Sequence, residues 1–447
     1  MLSYSWIKYC AFEDSPQQAY EALSCMWNKV PVLITSSTMV SKEHAVSFDR
    51  LLEWSSSEAL EVMCSDSTLH RFMSFDNGKN DARGPYYVRE FETQILNMSA
   101  QEFVRSSRSW TKKKLFLQSR LCSMRREGEG YAREVFEGGL QKVAHHILDS
   151  GCIDWERLQA LVSAQRFGAI GPVSLEAGSR NGVLPLQYST RDALHIQLTG
   201  RRRVTLISPS QAFGCVYPYP VAHPYDTYAM ASIEKIDLDQ WPGIRNASLH
   251  RAIVGPGEIL YIPAFWFVHI HDLENENTSL NVPLGSHQRA PAADSTLLRV
   301  SRALEERVAD VVGVSDVKRW FRIIASGSET KYIDLNTVKG YKRARLCQDI
   351  RDEMGRSLGQ GAWSRLLPSV IDHRLQPTPW LNKHYREPLL LTDTPVRIED
   401  TRTEEERKYP TLFREKLEKE GWHVPKTVST VPIPGYNMDK DQDYRLL

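Results

Sequence analysis

Apolar residues along the chain follow two different periods, and the change between them outlines the fold. Residues 17–27 place apolar side chains at helical spacing, and Val30-Pro31-Val32-Leu33-Ile34 is a short apolar run that predicts a buried strand. Between 71 and 100, turn chemistry (Asp76-Asn77-Gly78, Arg83-Gly84-Pro85) separates short aromatic runs. From Ser99 to about Leu161 the spacing is mostly helical, with Trp155, Leu158 and Leu161 on one stripe. From Pro172 to Gly285 β-branched and aromatic runs alternate with Gly, Pro and Asn breaks, most clearly at 194–198, 204–207, 259–262, 265–270 and 279–282. Many short strands separated by turn signals indicate a sandwich or barrel, each strand turning one face inward.

Helical spacing returns at 294–326. Asp294 or Ser295 can cap a helix carrying Leu297, Val300, Leu304, Val308 and Val311, Gly313 ends it, and Val317, Trp320, Phe321 and Ile324 form a second stripe. A further helix is expected over about 342–366. Beyond Pro368 the chain is polar and punctuated by prolines, with one charged helix expected near 403–421. The expected organisation is therefore 1–98 an α/β part, 99–171 a helical segment, 172–290 the β core, 291–370 C-terminal helices and 371–447 an extended polar tail.

Composition narrows the function classes. In 447 residues, 56 Lys plus Arg balance 55 Asp plus Glu, so the formal net charge is only +1, which argues against a globally basic nucleic-acid binder. The seven cysteines, Cys10, Cys25, Cys64, Cys122, Cys152, Cys215 and Cys347, are scattered without a Cys-x-x-Cys pair, which suits a reducing compartment and neither a disulfide framework nor a zinc knuckle. No apolar run approaches the ~20 residues of a membrane span. The first residues lack the order of a secretory signal. A soluble intracellular protein is expected, cytoplasmic and mitochondrial placement being equally compatible.

The candidate chemistry lies in the β region. Val254-Gly255-Pro256-Gly257-Glu258-Ile259-Leu260-Tyr261-Ile262-Pro263 leads through Ala264-Phe265-Trp266-Phe267-Val268 into His269-Ile270-His271. This turn, strand and aromatic step resemble the JmjC/cupin-type 2-oxoglutarate oxygenases, and within them asparaginyl hydroxylases of the factor inhibiting HIF type. Cys215-Val216-Tyr217-Pro218-Tyr219-Pro220-Val221-Ala222-His223-Pro224-Tyr225-Asp226 is similar to their Tyr-Pro-rich loop, Leu115-Phe116-Leu117-Gln118 to a Leu-Tyr-Leu-Gln strand, and Ser67-Thr68-Leu69-His70-Arg71-Phe72 to a Ser-Thr-His-Lys-Phe segment. The resemblance runs from about residue 60 to 326. It implies a mainly β double-stranded β-helix, or jelly roll, of eight strands with flanking helices, followed by a C-terminal helix pair and an extended tail. The helix pair falls where that family carries its dimerisation helices.

The resemblance also implies where ligands belong. Iron in such enzymes sits on two His and one carboxylate, leaving positions open for 2-oxoglutarate and oxygen. The His-x-Asp positions fall on Gln187 and Ser189, and the distal His on Val268, one residue before His269. A one-residue shift on a strand turns a side chain to the opposite face. The lysine that pairs with the co-substrate carboxylate falls on Arg202, a neighbouring hydroxyl on Leu184, a tyrosine on Phe116 and one asparagine on Ala193, whereas Asn281 keeps the other.

His195 phases inward with Gln187 and is either a hydrogen-bonded core histidine or a replacement ligand, together with His269 and Asp192 or Asp226. His269 and His271 read as a surface or interface pair more readily than a metal pair, and His145-His146 as a helix surface or core pair. The Tyr217 to Asp226 loop is either a peptide grip or a rigid crossover. The expectation is a catalytically inactive, pseudo-oxygenase scaffold or interaction subunit with no cofactor, meeting protein partners through its tail and helix pair, with a homodimer through 294–326 as one form. Two alternatives stand: an Fe(II)/2-oxoglutarate-dependent protein hydroxylase using Gln187, His195 and His269, and a metal-free sensor of small carboxylates at Arg202 and Asn281.

Overall fold

The structure, a computed structural model, describes residues 3–65, 71–73, 93–109, 113–127, 130–216, 218–219, 221, 225–239, 241–285, 293–312, 317, 320, 323–324 and 338–358. The chain divides into two compact units, the first formed by Met1–Ser74, Phe91–Val216 and Thr227–Leu298, the second by Phe75–Glu90, Tyr217–Asp226 and Arg299–Leu447.

The first unit is mainly β. Its early strands are β1 (Ser3–Trp6), β2 (Lys8–Ala11), β3 (Val32–Thr35), β4 (Leu60–Ser65), β5 (Gln94–Met98), β6 (Lys114–Glu127) and β7 (Gly130–Val135). Eight more follow: β8 (Val173–Gly178), β9 (Val183–Tyr188), β10 (Ala193–Thr199), β11 (Arg202–Ile207), β12 (Ser248–Val254), β13 (Ile259–Ile262), β14 (Phe267–Asp272) and β15 (Asn277–Pro283). One sheet has the order β1-β12-β11-β14-β9, the other β2-β3-β13-β10-β15-β8-β6-β4-β5, with β7 beside β6. The last eight strands thus contribute four to each sheet, in the interleaved order of a jelly roll, as the resemblance implies.

The larger sheet is buried on both faces because its strands carry two alternating sets. Leu194, Ile196 and Leu198 of β10, Leu280 and Val282 of β15, Val173 and Leu175 of β8, and Leu115 and Leu117 of β6 enter a large apolar core. That core is closed by helices α1 (Pro16–Trp27), α2 (Phe48–Trp54), α3 (Ala100–Arg108), α4 (Gln141–Asp149) and α5 (Trp155–Ala164) through residues such as Met26, Phe48, Phe103, Ile147 and Leu158. Each such side chain contributes about 1.5–3 kcal/mol by leaving water. Local chemistry sets the helix starts: Ser47 and Asp154 cap α2 and α5, and Ser99 with Glu102 makes a reciprocal capping box on α3. The opposite set on the larger sheet, including Leu33, Met63, Phe116 and Leu260, meets Leu184, Val204, Leu206, Ala252, Val254 and Ile270 of the smaller sheet in a second core between the sheets. At the β10–β11 turn Gly200 has φ +70°, and a Cβ there would collide with the backbone carbonyl of Glu276.

The helical expectation for 99–171 needs correction. The long strand β6 and its partner β7 occupy much of that segment between α3 and α4. Strand pairing of Leu117 with Val62 and Ala177 decided this, overriding local spacing.

In the second unit, α6 (Ala293–Val312, within it from Arg299) and α7 (Val338–Leu358) surround a small core of Val300, Leu304, Val308, Val317, Trp320, Ile323, Ile324, Leu346 and Ile350. The apolar stripe, which the sequence leaves either within the chain or across a dimer, is buried within the chain at Val300, Leu304 and Val308. Arg302 donates to the carbonyls of Tyr219 (3.0 Å) and Asp226 (2.7 Å), while the Glu305 carboxylate accepts from the Val221 amide at 2.9 Å. These bonds tie the Tyr-Pro-rich loop down by its backbone, as a crossover needs. Leu297, Phe321, the later part of the helix expected over 342–366, and the tail with its charged helix lie outside the described side chains and residues. Among the described residues no helix is long and apolar enough to cross a membrane.

Candidate functional site between the sheets

Strand phase decides which side chains reach the space between the sheets. On β14, Val268 and Ile270 lie opposite Leu206 and Val204 of β11, so both face inward. Against β9, Val268 pairs with Gln187 and Ile270 with Leu184: three steps on β9 match two on β14. The extra residue is therefore a bulge on β9, and it lets Leu184 and Gln187 both turn inward. β14 keeps regular phase, so His269, opposite Thr205, and His271, opposite Arg203, lie on the outer face.

The positions assigned to iron thus hold an amide (Gln187), an apolar side chain (Val268) and Ser189. The Ser189 hydroxyl is exposed and accepts the Arg191 amide at 3.1 Å. Its carbonyl accepts the amide of Phe265, a buried aromatic held at φ 66°, a conformation bulky residues rarely adopt.

His269 donates through Nε2 to the Glu234 carboxylate Oε1 at 2.9 Å, and its Nδ1 is buried without a partner among the described residues. Burial alone would raise the Glu234 carboxyl, but its hydrogen bond and charge contact with His269, helped by Arg71, hold it at about 2. Burial, then Arg203, push His271 down to about 4. His195 is on β10, opposite Asn281 of β15, and faces inward. The structure therefore does not assemble the substitute set of Gln187, His195 and His269. Asp192 cannot complete it either, since its carboxylate engages Tyr261 (2.6 Å) and Lys29 (2.9 Å). Asp226, in the second unit, engages Arg302. His146 bonds the His44 carbonyl, and His145 is exposed beside Asp149. Among the described residues no group of three or more His, Cys, Asp or Glu is arranged to hold a metal ion.

The centre of the site is Arg202, fully buried, with its guanidinium 5.7 Å from the ring centroid of Phe116. Its Nε donates to Asp272 Oδ1 at 2.7 Å, and its Nη1 donates to Glu176 Oε2 at 2.9 Å and to the Ser279 hydroxyl; Nη2 is left without a hydrogen-bond partner. Glu176 Oε2 also lies 3.9 Å from His195 Nδ1, and His195 Nε2 is 3.3 Å from Gln197 Oε1. Burial pushes the Asp272 carboxyl up to about 6 even beside Arg202, and drives His195 down to about 4. Burial would lower the arginine, but the two carboxylates raise it above its usual value. A fixed cation is thus clasped by two of the protein's own carboxylates. Gly178 and Gly182 make room for them, since a Cβ at either position would press on Asp272 Oδ2.

Of the remaining co-substrate positions, Leu184 and Phe116 belong to the apolar core between the sheets, with Phe116 stacked on Phe72. Ala193 and Asn281 are half-buried. Sequence reasoning missed Glu176, Asp272 and Ser279. The signal was parity: each stands in the inward phase of its strand, as Arg202 does, Glu176 and Ser279 alternating with apolar residues of the other phase and Asp272 following Val268 and Ile270 in the same phase.

Comparison with known proteins agrees with this architecture. Residues 29–282, more than half the chain, match the cupin-like domain. The tRNA wybutosine-synthesizing protein 5 of Danio rerio is 35% identical over 83 residues, 18% of this chain and 23% of that protein. JmjC domain-containing protein D of Dictyostelium discoideum is 30% identical over 90 residues, 20% of each chain. Human HSPB1-associated protein 1 is 26% identical over 91 residues, 20% of this chain and 18% of the relative. The aligned stretches span only about a fifth of these relatives. The domain match and the eight-strand arrangement together establish that the chain belongs to the cupin-like domain family.

Proposed function

We propose that the chain is a catalytically inactive, JmjC-like scaffold or interaction subunit, derived from an oxygenase of the factor inhibiting HIF type. One observation carries the reading. Arg202, at the position of the co-substrate-binding cation, is buried and already paired with Glu176 and Asp272. An incoming dicarboxylate would have to displace two internal carboxylates, leaving them unpaired in a dry interior at a cost of several kcal/mol. Gln187, Ser189 and Val268 offer no strong iron ligand, so neither Fe(II) nor 2-oxoglutarate fits the residues present. Incubation of the full chain with Fe(II), ascorbate and 2-oxoglutarate is expected to yield no succinate above a heat-killed control. Sustained succinate formation would restore the hydroxylase reading.

A second reading, a metal-free carboxylate sensor at Arg202 and Asn281, is favoured by one observation. Arg202 Nη2 is buried without a hydrogen-bond partner.

A further inference from the structure

On the outer face of the five-stranded sheet, the β1 edge carries exposed aromatics beside arginines that no described carboxylate engages. Strand register lays them out, with Trp6 beside Arg251, Ile253 beside Arg203, and Arg203 beside His271. Tyr4 and Trp6 share this face, because Ser5 between them turns inward to His250. Trp6 is 65% exposed, Tyr4 49% and Ile253 39%, and Tyr4, Trp6 and Ile253 lie on one face of adjacent strands. The Arg251 guanidinium lies 3.7 Å from the Tyr4 ring centroid, and its Nε has no hydrogen-bond partner. Among the described residues Arg203 bonds His271, at 2.7 Å, whereas neighbouring Arg201 is paired with Glu274.

Among the described residues no strand pairs with the outer side of β1. β1 ends the sheet order, and its sequence, Ser-Tyr-Ser-Trp, has none of the lysines, prolines or charges that usually block further pairing at an edge. β12 continues to Val254, whereas β1 stops opposite Arg251, so Ile253 has no strand neighbour on that side.

We propose that this edge docks an extended acidic segment of a protein partner, which pairs with β1 as an added strand and directs carboxylates to Arg251, two strand spacings (~10 Å) away, with Arg203 adding positive charge one strand further in. Backbone bonds supply affinity, Tyr4, Trp6 and Ile253 receive apolar side chains, and the arginines select acidic sequence. A second copy of the chain fits less well, because edge-to-edge pairing would bring the same uncompensated arginines of both copies together. Single-stranded nucleic acid would use the aromatics and cations but not the edge strand. The inference rests on the interaction-subunit reading for there being a partner, but its test is independent of any metal or 2-oxoglutarate measurement.

The test is fluorescence anisotropy of the full chain with a labelled peptide of alternating Glu and Val. Saturable binding is expected, at least tenfold weaker in Trp6→Ala and in Arg203→Ala/Arg251→Ala, and absent for an alternating Lys and Val peptide. Circular dichroism of each variant should match the parent, since Trp6 is exposed and the two half-buried arginines hold no described carboxylate. No saturable binding at millimolar peptide, equal binding of the Lys peptide, or unchanged affinity in both variants would overturn the proposal. So would tighter binding of an oligothymidylate, or a dimer lost in Trp6→Ala with no peptide bound.

Discussion

At the scale of single residues, Arg202 is the decisive group. Removing it as Arg202→Met leaves Glu176 and Asp272 buried without a counter-charge, and loss of one partner from such a network costs about 3–5 kcal/mol. In urea unfolding, Arg202→Met should fall by that amount, while Arg202→Met/Glu176→Gln/Asp272→Asn should recover most of it. If the triple variant is no more stable than the single one, the carboxylates are not the arginine's principal partners.

The same cluster contributes opposing pH terms. Asp272 has its folded pKa raised from 3.8 to about 6, so its contribution is full below about pH 3.8 and is lost as pH rises through about 6. His195 is lowered from 6.5 to about 4, so its contribution is full above about pH 6.5 and is lost as pH falls through about 4. Between about pH 4 and 6 the two partly cancel. His195→Asn removes the second, so the variant should gain stability relative to the parent on going from pH 6.5 to 4.5, read from urea midpoints. A parallel pH dependence in both proteins would place His195 outside the buried cluster.

At the scale of the element, the bulge on β9 and the regular phase of β14 determine what the interior can become. Gln187 and Val268 are cross-strand partners on the inward face, so Gln187→His/Val268→His should create a tighter Ni(II) or Mn(II) site than the parent has. His269→Ala in that background should not weaken it, because His269 lies on the outer face with Glu234. Loss of the new site in His269→Ala would reverse the phase assignment. Much of this was legible in the sequence. Alternation alone placed the five clearest strands of 172–290, and strand parity distinguished Val268 from His269. What was not legible depended on contacts distant in the chain. Only Leu115–Gln118 of β6 was legible, through the resemblance; the rest of the strand lay in a segment of helical spacing because its partners β4 and β8 are remote in sequence. Asp272 and Glu176 became partners of Arg202 only when β14 and β8 were brought to it, 70 and 26 residues away.

At the scale of the whole molecule, the first unit has the architecture of a cupin-like fold, and the proposed reading takes its interior as part of the packed core and not as a binding site. Arg202 is paired with Glu176 and Asp272, while Leu184, Val268 and Phe116 pack in the apolar core between the sheets. Internal partners in place of a ligand preserve the fold, since the strands need only a matched interior and not a particular ligand. The exposed β1 edge and the second unit with its clamped loop are then the parts left to carry function. Calorimetric titration of 2-oxoglutarate into the full chain, with and without Mn(II), tests the central claim most directly. The account predicts no saturable heat up to millimolar ligand in either condition. Micromolar binding by the unmodified chain, lost in Arg202→Ala, would contradict it.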